Sequence, residues 1–296
     1  MKKPLVSIGV PSYNRPVTLQ RTMESLINQT YENIEIIVSD NGSTDCRVEE
    51  VLRRFSEDSR VKVFRHQENR GAVFNFNFIL DKFSGSYVMR IGDDDWVEHN
   101  YVESCVNFLT ENPDYICAYG STKIFDSDQQ LIKEDTKLSL DQSSPKERIL
   151  TYYENVTQNG IYFGLLKREY KDLIKVDRLL ADDWIGVARV CFLGKVRMLS
   201  DTNLKITAGG TGSSVDSIVD SLGISNFNRY FPYLSVCFNV ARDIMWRSAA
   251  YRGSRIDSRI LLAIACVVVL SKRFRVRHEI KNNYFSYLKS LARQSH

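Results

Sequence analysis

The 296-residue chain is poor in the residues that build metal, haem and disulfide frameworks. Its six cysteines, Cys46, Cys105, Cys117, Cys191, Cys237 and Cys266, include no CxxC pair and no zinc-like spacing. Several lie inside apolar runs, as in Tyr115-Ile116-Cys117-Ala118, and read as buried free thiols of a reducing compartment. The four histidines, His66, His99, His278 and His296, are scattered, so none is assigned to a metal. The longest apolar run, residues 260–270, has eleven residues, too few to span a bilayer. After Met1-Lys2-Lys3-Pro4 the apolar stretch of a signal peptide is interrupted by Pro11, Asn14 and Arg15. Repeats and low-complexity tracts are absent. These absences predict a cytoplasmic chain, with at most a peripheral seat on the cytoplasmic face of a membrane.

What is present is a core and a charge asymmetry. Hydrophobic residues make up 43% of the chain, enough for a substantial interior. From Arg242 onward, twelve Lys and Arg face only Asp243, Asp257 and Glu279, a net of +9, so the preceding residues carry −5. An acidic body with a basic tail suits a tail that meets something anionic. No recognition motif points to nucleic acid.

Residues 5–10, 34–38, 61–64 and 87–91 are short apolar runs of strand length. Helical spacing follows each of the first three, through Leu19, Met23 and Leu26, then Val48, Leu52 and Phe55, then residues 72–83. Thr18 is the expected cap of the first helix. Continuous apolar strands alternating with helices predict a mostly parallel sheet covered on both faces. Strands are also expected at 115–119, 122–125, 160–167 and 195–199, with a polar loop over 126–144. A helix from Trp184 should end at Gly194. The glycine-rich segment 209–214 is the candidate boundary between an α/β domain, 1–208, and a helical basic region, 209–296.

The polar clusters fall at the carboxyl ends of the predicted strands, where parallel sheets bind ligands. Asp93-Asp94-Asp95 places three carboxylates side by side. They repel one another unless a cation joins them, and oxygen-only ligation suits Mn2+ or Mg2+. The structural alternative is a solvated acidic turn that caps a helix. Asp40, after the second strand, can accept hydrogen bonds from a ribose or base. It can equally form an Asx-turn with Gly42 at positive φ and with Ser43 or Asp45 capping the next helix.

Val10-Pro11-Ser12-Tyr13-Asn14-Arg15, Ser39-Asp40-Asn41-Gly42-Ser43-Thr44-Asp45, Asn69-Arg70-Gly71 and Gly92-Asp93-Asp94-Asp95 resemble, in order and spacing, the motifs of the family-2 inverting glycosyltransferases. The resemblance covers residues 4–200 and implies the GT-A fold, an α/β nucleotide-binding domain with a DXD-type metal motif. It makes 1–208 the catalytic domain, with residues up to about 100 as the nucleotide-binding half and 101–208 as the acceptor-side half. It implies that Pro11, Tyr13, Arg15, Asp40, Asn69 and Asn77 bind the nucleotide and donor. Asp93 and Asp95 would hold the metal, with Asp93 and Asp94 also facing donor phosphate or sugar. Gly92 stands where the family's first motif aspartate is usual, so Asp93/Asp95 and Asp94/Asp95 remain two registers for the metal pair. Ala181-Asp182-Asp183-Trp184 is similar to the family's later acidic motif, which makes Asp183 the general base and Asp182 and Trp184 acceptor-side residues. The alternative is that the two acids cap the helix that follows.

The implied reaction moves a sugar from a nucleoside-diphosphate sugar to a glycan or lipid-linked glycan, as in bacterial surface polysaccharide synthesis. A sugar-nucleotide pyrophosphorylase would carry a glycine-rich basic signature after the first strand, where Pro11-Ser12-Tyr13-Asn14-Arg15 stands. A non-catalytic carbohydrate or membrane scaffold would have lost these acids. The apolar run 260–270, flanked by Arg252, Arg255, Arg259 and by Lys272, Arg273, Arg275, Arg277, reads as a buried helix, a homo-oligomer contact or a segment in the headgroup layer of the inner leaflet.

Overall fold

The computed structural model describes residues 3–135, 137–157, 160–209 and 214–294. The chain begins with β1 (Val6–Ser12), α1 (Pro16–Ile27), β2 (Ile34–Asp40), α2 (Cys46–Phe55), β3 (Val61–Arg65), α3 (Ala72–Lys82) and β4 (Tyr87–Arg90). There follow β5 (Trp96–Val97), α4 (Tyr101–Glu111), β6 (Tyr115–Phe125), β7 (Leu131–Glu134), α5 (Pro145–Asn155), β8 (Leu165–Lys167), α6 (Asp182–Leu193) and β9 (Lys195–Thr207). The remainder is helical: α7 (Val215–Leu222), α8 (Phe227–Tyr230), α9 (Pro232–Arg242), α10 (Ile256–Arg273) and α11 (Val276–Gln294).

The strands form one sheet in the order β3-β2-β1-β4-β8-β6-β9-β5, with β7 paired to β6. The half from β3 to β4 is parallel, as the unbroken apolar runs predict. Beyond it the sheet is mixed, because β8 runs antiparallel to both β4 and β6 while β6 and β9 are parallel. Each face is covered. Val6, Ile8 and Val10 pack with Leu19 and Met23 of α1 and Val102 of α4. Ile37 and Val88, on the other face, pack with Ile79 of α3 and Ile185 of α6. Val236, Leu262 and Cys266 of the C-terminal helices join that second cluster.

The chain winds from β1 out to β3 and then returns to β4 on the other side of β1. The crevice between the loops after β1 and β4 is therefore a topological switch point, where open sheets bind ligands. This is what positions the site.

Several local expectations change. α1 starts at Pro16, whose fixed φ suits a first helical position, so Thr18 lies inside the helix rather than capping it. The predicted loop 126–144 contains β7, an exposed edge hairpin without an apolar face to betray it. Only Leu165–Lys167 of the predicted strand 160–167 is extended, and Gly160–Phe163 is a 3-10 turn. The two strands at 115–119 and 122–125 are one, β6, irregular at Gly120/Ser121. The strand at 195–199 continues to Thr207 through a polar stretch. Cys46 is exposed; the other five cysteines are buried, and all six are free. Residues 210–213 of the glycine-rich segment lie outside the described residues.

α10 answers the question of the apolar run on one side only. Leu262, Ala263, Cys266 and Leu270 are buried, whereas Ile260, Leu261, Ile264 and Val268 are exposed. Among the described residues, no helix is long and apolar enough to cross a membrane.

Candidate active site

The acidic run after β4 is a knot held from two sides. From α1, the hydroxyl of Thr22 donates to the Asp95 carbonyl at 2.6 Å, and Arg21 Nη2 donates to the Asp94 carbonyl at 2.6 Å. From the end of β9, the Thr207 amide donates to Asp95 Oδ1 at 3.0 Å, and its hydroxyl donates to the Asp94 carbonyl. The Arg21 guanidinium also lies 3.8 Å from the centre of the Trp96 ring, so its position is fixed by stacking as well as by charge.

Arg15, at the mouth of the first loop, reaches across the crevice. Its Nη1 is 3.1 Å from Asp93 Oδ1 and 2.5 Å from Asp94 Oδ2. The Tyr13 amide donates to Asp93 Oδ2 at 3.2 Å, and the Tyr13 ring is partly exposed at the opening. Pro11 is buried at the end of β1. Asn14 adopts the left-handed conformation at φ 54°, and its Oδ1 accepts from the amides of Thr44 at 2.8 Å and Asp45 at 3.1 Å. It thereby rivets the first loop to the second.

Burial governs the charges here. Desolvation pushes Asp93 up to about 6, against the pull of Arg15 and with the repulsion of Asp94 added. Desolvation also pushes Asp95 up to about 8, with like-charge repulsion from Asp94 next in size. Gly92 explains the closeness of the carboxylates. A Cβ there would come within 2.8 Å of Asp94 Oδ1 and 3.0 Å of Asp95 Oδ2, so a side chain at this position would push these two carboxylates aside. Asp94 and Asp95 thus converge over a glycine, while Arg15 bridges Asp94 and Asp93.

Asp40 is fully buried at the end of β2. Its Oδ1 accepts from the Ser43 amide at 3.0 Å, and its Oδ2 lies 3.1 Å from Arg65 Nε. This is the Asx-turn geometry, with Gly42 at φ 73° and Asp45 capping α2 through the Arg47 amide. Asn69 accepts from Asn41 Nδ2 at 2.8 Å and from the Gly71 amide at 2.9 Å, which shapes the turn before α3. Asn77 donates to the Val176 carbonyl at 2.9 Å and accepts from its amide at 2.8 Å, clamping the segment that leads to α6. Arg70 stacks 3.5 Å from the Phe74 ring centre.

α6 starts with its acidic pair. Ala181, immediately before it, adopts the left-handed conformation at φ 58°, which costs a non-glycine residue about 1–2 kcal/mol. No side chain caps the helix, so Asp182 and Asp183 occupy its first turn, where the dipole favours negative charge. Asp182 is buried, and desolvation pushes it up to about 7. Asp183 is half-buried. Both acids act electrostatically on Arg90, a fully buried residue on β4 three positions before Asp93. Arg90 stacks 3.6 Å from the Tyr162 ring centre and donates to the Ile174 carbonyl at 2.7 Å. Through Arg90, the α6 acids and the Asp93–Asp95 run are joined to one strand. Trp184 stacks on Phe274 with ring centres 5.4 Å apart, and Phe274 stacks on Tyr233 at 4.4 Å, so this tryptophan faces the C-terminal helices.

Arg21, Thr207, Arg90 and Asn14 were not assigned roles from the sequence. The signal for Arg21 was present in the polar stripe Thr18, Arg21 and Thr22 on α1. For Arg90 it was a lone charge inside a buried strand. Thr207 carried none, because β9 looked finished at residue 199.

Three carboxylates offer only oxygen ligands, the donor set of Mg2+ and Mn2+. Among the described residues no cluster of three or more metal-ligating side chains forms a cage. Mg2+ is commonly held by one or two protein carboxylates together with substrate phosphates.

Comparison with known proteins agrees with the geometry. The sequence profile of Glycosyl transferase family 2 matches residues 7–173, more than half of the chain. A Haemophilus influenzae protein described as an uncharacterized glycosyltransferase is 31% identical over 184 residues, 62% of this chain and 70% of its own length. A second from the same organism, described in the same words, is 39% identical over 118 residues, 40% of this chain and only 36% of its own length. Escherichia coli chondroitin synthase is 31% identical over 129 residues, 44% of this chain and 19% of that protein. The chain thus spans well under two thirds of some relatives it matches. The crystal structure of S. aureus TarS 1-349 in complex with UDP-GlcNAc superposes with a TM-score of 0.63 at 16% identity, over 90% of this chain and 72% of that one, a likeness of fold. The sheet, the order of its motifs and the profile match lead to one assignment: the chain belongs to glycosyl transferase family 2.

Proposed function

We propose that this protein is an inverting glycosyltransferase that moves a sugar from a nucleoside diphosphate to a hydroxyl of a glycan or glycolipid. The observation that carries the reading is the convergence of Asp93, Asp94 and Asp95 with Arg15 at the switch point. Buried carboxylates held at raised pKa are costly in isolation. They make sense where a cation and a diphosphate complete the charge balance.

In this reading Asp94 and Asp95, or Asp93 and Asp95, hold a divalent ion. Bound there, the ion would screen the diphosphate and stabilise it as a leaving group. Arg15 binds donor phosphate once it is released from Asp93 and Asp94. Tyr13 and the loop riveted by Asn14 line the nucleotide. Asp40 fixes that loop from below through Ser43. Asp183 takes the proton of the acceptor hydroxyl as it attacks the anomeric carbon from the side opposite the diphosphate, so the configuration inverts. Asp182 and Trp184 shape the acceptor side.

TarS, whose fold this chain shares, was crystallised with UDP-GlcNAc. That makes UDP-linked hexoses and N-acetylhexosamines the first donors to test. With an accepted donor, EDTA should stop turnover, and Mn2+ or Mg2+ should restore it. Undiminished turnover in exhaustively chelated enzyme would remove the metal from the mechanism.

A further inference from the structure

α10 leaves a row of large apolar side chains in solvent. Ile256, Ile260, Ile264 and Val268 recur every four residues, with Leu261 beside them. Leu261 is 63% exposed and Ile264 55% exposed. No charged residue lies between Arg259 and Lys272. Contiguous apolar surface of this kind marks an interaction site.

Two observations indicate what covers it. The first is charge. Arg252 and Arg255 precede the row, Arg259 lies within its first turn, and Lys272, Arg273, Arg275 and Arg277 follow it, with Asp257 the one acid of α10 and already paired with Arg255. A second copy laid on this face, in either direction, would bring basic ends against basic ends. An anionic surface meets no such repulsion.

The second is a hollow of about 320 Å³ beside the N-terminal half of α10. Lys146, Arg259, Phe192, Tyr251, Leu261 and Leu262 are among its lining, and no carboxylate is. Ser144 and Pro145, at the N-terminus of α5, complete one wall. The hollow joins two cationic side chains and a helix N-terminus to an apolar floor. Leu261 belongs both to the hollow and to the exposed row. A phosphate at Lys146 and Arg259 with hydrocarbon along Leu261, Ile264 and Val268 matches this layout, which is the chemistry of an acidic phospholipid.

We infer that the outer face of α10 and the adjoining hollow form a docking surface for an anionic lipid bilayer. The helix lies in the headgroup layer with its apolar row toward the acyl chains, a monotopic rather than spanning contact. The Lys146 and Arg259 hollow takes a lipid phosphate at the rim. The inference deepens the proposed function, since it names a lipid surface as the place where a glycolipid acceptor is met. It is read without turnover, so it can fail while sugar transfer stands.

The test is flotation of the full chain with vesicles of phosphatidylcholine alone and of phosphatidylcholine mixed with phosphatidylglycerol. Binding should be at least about tenfold tighter to the anionic vesicles and should weaken with added salt. Ile264→Glu/Val268→Glu should abolish it, and Lys146→Glu should weaken it. All three positions are exposed, so the variants should keep the wild-type circular dichroism and melting temperature. Donor hydrolysis in solution should not change. Absence of vesicle binding, or equal binding to neutral vesicles, would overturn the inference. So would a wild-type dimer that the double variant dissociates without any effect on vesicles, since a second copy would then be the occupant.

Discussion

Asp183→Asn lowers the rate of sugar transfer by about 10²–10⁴-fold, the usual contribution of a positioned general base, and leaves the fold in place. Asparagine keeps the shape of the side chain in the first turn of α6 but cannot accept a proton. The loss should fall on kcat, with the KM for the nucleotide sugar little changed, because the residue is proposed to act on the acceptor hydroxyl. A purely structural role predicts the opposite pattern, a lower melting temperature with activity retained per folded molecule. Steady-state kinetics together with a melting curve separate the two. Full transfer by Asp183→Asn would end its assignment as base.

Asp95→Asn should abolish transfer and at the same time stabilise the free protein. Asp95 is buried, and desolvation lifts it from 3.8 to about 8, while Asp93 rises to about 6. An acid with a raised pKa in the folded state binds its proton more tightly there than in the unfolded chain. Its stabilising contribution is complete below about pH 4 and is lost as the pH climbs through 6 and 8. The ligand-free protein should therefore melt higher at pH 6 than at pH 8. Asparagine removes the charge yet still accepts the Thr207 amide. After allowance for the nearby Arg21, the gain at pH 8 is about 1–2 kcal/mol, or about 2–4 °C for each kcal/mol. The variant should also show a flatter dependence of melting temperature on pH. A lower melting temperature for Asp95→Asn at pH 8 would show that the carboxylate is a structural anchor rather than a strained functional group. Trading stability for activity in this way is common where a site must hold like charges together.

The first hundred residues were readable because β1, β2 and β4 are buried along their whole length and write themselves as largely apolar runs, while β3 at the sheet edge is half exposed. The stops between them carry chemistry of their own: Gly42 with its positive φ, Asp45 as a cap, and the acidic run after β4. The second half was harder for a physical reason. β7 has no buried face, β8 is three residues long, and β9 passes through the polar stretch 200–203. Thr207 therefore could not be placed beside Asp95 until the sheet was assembled.

The site was legible as a set of acids but not as a network. The resemblance proposed ligand roles for Asn69 and Asn77, and the structure shows both side chains engaged with backbone, at Gly71 and at Val176. Those bonds span a turn in one case and ninety-nine residues in the other, and the second kind leaves no local trace. Arg90 was visible as an anomaly in a buried strand, but its meaning depends on α6, ninety residues further on. Gly92 looked like a departure from the motif. With the backbone in hand it is the space into which Asp94 and Asp95 lean.

The most direct measurement is calorimetric titration of UDP into the wild-type protein, with Mn2+ present and with EDTA. Tight binding that needs the ion, and that Asp95→Asn eliminates, is the predicted result. Equal UDP affinity in EDTA and in the variant would contradict the claim that these carboxylates hold the diphosphate through a cation.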